Sequence, residues 1–220
     1  QDGQKEAMEH AGRTGGLPFV GVGWYRTEFD VPQFQAGKRA TILFDGAMSH
    51  ANVYINGQKV GYWPYGYNSF HFDITKYLKP GEKNTLAVRL ENLPESSRWY
   101  PGAGLYRNVH LIITEDAYIP VWGTYITTPS VNEKFAKVNV RTKVVLPEGA
   151  DPAKYSVETS VWNPNKQKLT AVRTSLAQMK YNNNQAEQEF VIQAPSLWSP
   201  EMPALYSAET RLYEGDKLKD

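Results

Sequence analysis

Cysteine is absent from the 220 residues, which removes disulfides and thiolate metal sites but leaves the compartment open. A surplus of one charge is absent too. The 24 Lys and Arg meet 23 Asp and Glu, and a net charge of +1 gives no positive field of the kind that nucleic acid binding uses. No apolar run approaches the roughly 18 residues of a membrane span. The opening residues, "QDGQKEAMEHAGRTGG", carry neither the basic start nor the hydrophobic stretch of a signal peptide, so a targeting segment is expected to have been removed or never to have existed. Neither a nucleic acid partner nor a membrane span is expected.

Chemical motifs are also missing. There is no G-x-S-x-G elbow and no phosphate-cradling glycine loop, and Gly21-Val22-Gly23 lacks the preceding strand and following helix of a dinucleotide site. His10, His50, His71 and His110 lie far apart, and His71 with Asp73 on one strand face makes two ligands at most, so neither a metal nor another cofactor is expected. Glycoside hydrolysis needs two carboxylates held roughly 5 to 10 Å apart, which sequence spacing cannot locate. Asn132-Glu133 is the one Asn-Glu dipeptide, but "SVNEKF" reads as a solvated hairpin turn.

What is present is aromatic and β-patterned. Aromatic residues make up 13% of the chain, 14 of them Tyr and 6 Trp, rings with a polar handle that suit cores, interfaces and sugar surfaces alike. "WYRTEFDV" sets Tyr25, Thr27, Phe29 and Val31 against Trp24, Arg26, Glu28 and Asp30, which predicts a strand with one buried face, stopped at Pro32. "RATILFDG" places Ile42 and Phe44 on one side. "ANVYINGQKVG" is a hairpin turning at Asn56-Gly57. A strand, a short helical turn over 75–78, a Pro80-Gly81 turn and a strand with Leu86, Val88 and Leu90 inward come next, and "LYRNVHLII" closes the region. "KVNVRTKVV", "YSVETSVW", "EQEFVIQ" and "LYSAETRLY" then form a second set.

Strands separated by polar turns predict an all-β chain: a jelly-roll β-sandwich over 1–116, with 1–15 as a polar extension, followed by an immunoglobulin-like β-sandwich over 117–220. After 205–213 only "EGDKLKD" remains, which reads as a turn opening a further strand. The second sandwich is therefore expected to be truncated and the chain to be part of a longer protein.

"SSRWYPGAGLYRNVHL" sets Arg98, Trp99 and Tyr100 side by side ahead of Gly102 and Gly104. An aromatic face can pack on the C–H face of a sugar ring while Arg reaches its hydroxyls; the same rings could instead cap the sandwich. With "GVGWYRTEFDVP", "FDGAMSHANVYINGQKVGYWPYGYNSFHFDIT" and "PSLWSPEMPALY", in that order, the chain resembles the N-terminal half of glycoside hydrolase family 2 over 15–213, especially its bacterial β-galactosidases.

That resemblance implies a sugar-binding jelly roll and an immunoglobulin-like domain ahead of a (β/α)8 barrel, which holds the two catalytic glutamates of a retaining mechanism. No catalytic residue is then expected in this chain. In some members an Asp on the loop before the "GLYR" strand touches the sugar; here Arg98 aligns closest, giving Arg98, Trp99 and Tyr100 as the carbohydrate-binding candidates. Arg26 and Arg107 are expected in structural pairs within strands. The partners implied are a β-galactoside or related glycoside, the missing catalytic barrel and a homo-oligomer, in a periplasmic or secreted setting. A free-standing carbohydrate-binding module and a structural or adhesive tandem sandwich are the competing readings.

Overall fold

A computed structural model describes residues 21–34, 37–93, 103–178 and 185–220. The chain divides into two compact units, Gln1–Ile113 and Thr114–Asp220. Each is all-β, with only three-residue 3-10 turns besides strands among the described residues.

The first unit contains β1 (Gly21–Asp30), β2 (Arg39–Phe44), β3 (Ala51–Ile55), β4 (Gln58–Trp63), β5 (Phe70–Asp73), β6 (Lys83–Asn92) and β7 (Val109–Thr114). They form a four-stranded sheet in the order β1-β6-β3-β4 and a three-stranded sheet in the order β5-β2-β7. Period-two alternation explains the layer between them. Ala40, Ile42, Phe44 and Phe70 come from one sheet, Ala51, Val53, Ile55, Leu86, Val88 and Leu90 from the other, in one cluster. Phe44 and Phe70 stack at 4.8 Å between centroids. The β3–β4 hairpin turns at Asn56 and Gly57, both at positive φ, as a two-residue primed turn requires. Buried Asn84 binds the tip: its Oδ1 accepts from Asn56 Nδ2 and Lys79 N–H, and its Nδ2 donates to the carbonyls of Lys79 and Glu82.

The buried face expected of β1 forms only in part. Only Phe29 and the following Val31 reach the core, while Tyr25 and Thr27 are exposed. β1 is one of the two edges of the four-stranded sheet, and most of its inward side, Tyr25 and Thr27, has little packed over it among the described residues. The strand expected over 105–113 starts at Val109, with Leu105 still packed against the core.

The second unit contains β8 (Thr124–Val131), β9 (Phe135–Lys143), β10 (Tyr155–Trp162), β11 (Lys168–Ser175), β12 (Gln185–Gln193), β13 (Ser207–Glu214) and β14 (Lys217–Leu218). Its sheets run β11-β10-β13-β14 and β12-β9-β8. The alternating Val138, Val140, Thr142 and Val144 are all buried, as are Tyr155, Val157, Thr159 and Val161. On the inward face of β12, Gln188 ties the two sheets together. Its Nε2 donates across to the carbonyls of Val157 and Val172 and to Thr174 Oγ1, at 2.9 to 3.1 Å.

Candidate functional site

Arg98, Trp99 and Tyr100 lie outside the described residues, but both ends of the segment that carries them are defined. At its near end, Glu91 N–H donates to the Ser49 carbonyl at 2.9 Å, while Ser49 returns its N–H and hydroxyl to the Glu91 carbonyl. At its far end, Gly104 and Met48 exchange both backbone hydrogen bonds at 3.0 Å. Because Met48 and Ser49 are consecutive, the two ends sit side by side at the end of the first sandwich.

Close backbone approach fixes this base. Gly104 has φ +88, and a Cβ there would collide with the Tyr25 hydroxyl. A Cβ on Gly46 would stand 2.6 Å from the Tyr106 ring, whose own hydroxyl donates to the Gly66 carbonyl at 2.8 Å. The β1 edge, the 46–49 segment, the β4–β5 connection and the approach to β7 are thereby held to one another.

The rings around the base face outward. Tyr65, Tyr67, Tyr106 and Tyr25 are all exposed, and Tyr65 and Tyr67 lean on each other at 5.6 Å. Sequence reasoning did not single out Tyr65, Tyr67 and Tyr106. The available signal was "PYGYN", two tyrosines spaced through a Pro-Gly turn where alternation gives no core reason for them.

Several charges near the base are paired. The Arg89 guanidinium donates to Glu91 Oε1 and, helped by His50, holds that carboxyl below the usual carboxylate range. His50 Nδ1 lies 2.6 Å from the Tyr62 hydroxyl, and His110 Nε2 lies 3.0 Å from Asp45 Oδ2. Burial pushes His71 down. No three ligating side chains gather into a metal site among the described residues. Arg26 does lie within β1, but Arg107 precedes β7, and neither has an ion-pair partner among the described residues. Glu133 sits in the β8–β9 turn, where Asn132 Oδ1 accepts from the N–H groups of Lys134 and Phe135. Glu187 and Glu189 line one small cleft of the second unit, yet Glu189 is paired with Lys137 at 2.9 Å, a solvated ion pair on a strand rather than an acid set against a base. The surface can stack on a ligand and donate hydrogen bonds to it.

Residues 18–115 match the sugar binding domain of glycosyl hydrolases family 2, and residues 118–220 match a second domain of the same family. The chain is 39% identical over 217 residues to a beta-galactosidase of Bacteroides ovatus, a match covering 97% of this chain and 25% of that protein. It is 32% identical over 213 residues to a beta-glucuronidase of Bacteroides fragilis, covering 91% of this chain and 30% of that one. Among solved structures, a glycosyl hydrolase family 2 member from Bacteroides cellulosilyticus superposes with a TM-score of 0.80 at 33% identity, over 91% of this chain and 26% of that one. Bacteroides uniformis beta-glucuronidase does so with a TM-score of 0.74 at 28% identity, over 91% of this chain and 25% of that one. The chain thus spans about a quarter of the length of these relatives.

Proposed function

The chain belongs to glycosyl hydrolase family 2, and on that premise we propose that it is the non-catalytic N-terminal portion of a retaining β-glycosidase, a β-galactosidase before a β-glucuronidase. One observation carries this reading: more than nine-tenths of the chain corresponds to 25% of a relative named as a beta-galactosidase and 30% of one named as a beta-glucuronidase. The reacting carboxylates then belong to the rest of the enzyme, in the barrel. The present units scaffold that barrel and contribute one wall of its sugar pocket.

That wall is the segment carrying Arg98, Trp99 and Tyr100. Its role is supported by the Met48–Ser49 base, which brings both ends of the segment together beneath an exposed tyrosine surface. Arg98 donates to a sugar hydroxyl and the two rings exclude water from one side of it. The test is Arg98→Ala in the longer enzyme. A rise in KM for a chromogenic β-galactoside, with protein stability unchanged, is expected; unaltered KM and kcat would remove Arg98 from the pocket.

A further inference from the structure

The outer face of the β1-β6-β3-β4 sheet adds no side chain to the core cluster, and it reaches the loop base where Arg89 meets Glu91 and Tyr62 meets His50. Strand register arranges it in rows. One row runs Trp24, Arg89, Asn52, Tyr62 and the next runs Arg26, Ala87, Tyr54, Lys59, each crossing all four strands. Three strand spacings separate the first and last member of a row, about 14 Å. Each end of the face therefore presents an aromatic ring with a cation beside it: Trp24 with Arg26 on β1, Tyr62 with Lys59 on β4.

The rings are open, Trp24 at 58% and Tyr62 at 45% exposure. Trp24 is steadied by Tyr54, at 5.6 Å between centroids across the small Ala87. Lys59 Nζ lies 6.0 Å over the Tyr62 ring. The central cation Arg89 is neutralised by Glu91, and Lys83 is paired with Glu28 at 3.8 Å; Asp30 stands at the far end of β1. Arg26 and Lys59 have no carboxylate partner among the described residues.

We propose that this sheet face is a second saccharide-binding surface, adjoining the base of the loop but built from other residues than Arg98, Trp99 and Tyr100, that holds an extended oligosaccharide of acidic sugars. A sugar ring offers an apolar C–H face to Trp24 or Tyr62, and a carboxylate on the same sugar pairs with Arg26 or Lys59. The doubled ring-and-cation unit, set about 14 Å apart, suits a polymer that repeats the same two features. Charge complementarity selects an acidic chain over a neutral one. The choice of a saccharide rests on the function proposed above; the site itself rests on the register and exposure of these side chains.

Calorimetric titration of the chain with tetragalacturonate tests the assignment. Saturable binding is expected, weakened at least about tenfold by Trp24→Ala and by Tyr62→Ala, both exposed enough to leave the fold intact. Arg26→Gln with Lys59→Gln should weaken binding and flatten its dependence on salt. Neutral galactotetraose should bind at least about tenfold more weakly. The proposal is overturned by a flat titration, by equal affinity for the neutral tetrasaccharide, by binding that survives the two aromatic substitutions, or by binding lost in Arg98→Ala instead. A dimer in sedimentation that Trp24→Ala dissolves would assign the face to a second copy and overturn it as well. Turnover of a small chromogenic glycoside by the longer enzyme should be indifferent to Trp24→Ala, so this face and the function above fail separately.

Discussion

At the residue scale, two contacts tie distant parts of the chain together, Gly104 against Tyr25 and Asp116 with Lys219. Gly104 joins a left-handed backbone to a contact with the Tyr25 hydroxyl, so Gly104→Ala meets both a strained φ and a clash. A loss of about 1–3 kcal/mol in urea unfolding is expected, partly restored when Tyr25→Phe removes the hydroxyl. Asp116 is the second. Lys219, nearly buried, donates to it and holds its carboxyl below the usual range, while Asp116 and Glu214 hold Lys219 above its own. A depressed folded carboxylate stabilises above its unfolded pKa of about 4, and that contribution is lost as pH falls through the folded value. Asp116→Asn should therefore flatten the acid limb of stability measured between about pH 5 and 2. Asp220, pushed up by burial, has the opposite sign and stays as background in both proteins. The Asp116–Lys219 pair was not legible in the sequence, because only the β13–β14 turn brings residue 219 back to 116.

At the element scale, legibility followed burial. Strands buried on one face, such as β9 and β10, announced themselves through unbroken alternation from Val138 to Val144 and from Tyr155 to Val161. The β3–β4 hairpin was equally plain, since Asn56-Gly57 meets a demand of backbone conformation rather than of packing. The exposed edge strands β8 and β11 gave no such signal. In β8, "TYITTPSV" is mostly exposed and carries Pro129 where the register with β9 shifts, a place where proline is tolerated; β11 is likewise an exposed edge. Neither was read as a strand. For β1 the alternation was real but its expected burial was only partial, since alternation shows which side chains share a face and not whether a sheet lies opposite. Gln188 interrupts the apolar pattern of β12 for a reason found only across the sandwich. Gln188→Leu leaves its three acceptors without that donor and should cost about 1–3 kcal/mol, read as a lower urea midpoint at unchanged slope.

At the scale of the whole molecule, the buried side chains group into clusters that each stay within one unit, around Phe44 and Val88 in the first and around Val157 and Val140 in the second. Scanning calorimetry should therefore resolve two transitions, with Phe44→Ala lowering one by about 3–5 kcal/mol and Val157→Ala lowering only the other. Function was legible at this scale in a different way. Four ordered motifs pointed to a glycoside hydrolase family, and the match of both units to that family agrees. The loop chemistry was less legible: the tyrosines around its base become a surface only when residues 25, 65, 67 and 106 meet in the fold. On the function proposed above, the two units contribute a wall to a sugar pocket without performing the reaction. The decisive experiment is incubation of the purified 220-residue chain with chromogenic β-galactoside and β-glucuronide substrates. Release of chromophore no faster than in buffer is the predicted result, and saturable, enzyme-dependent turnover of either substrate would contradict it.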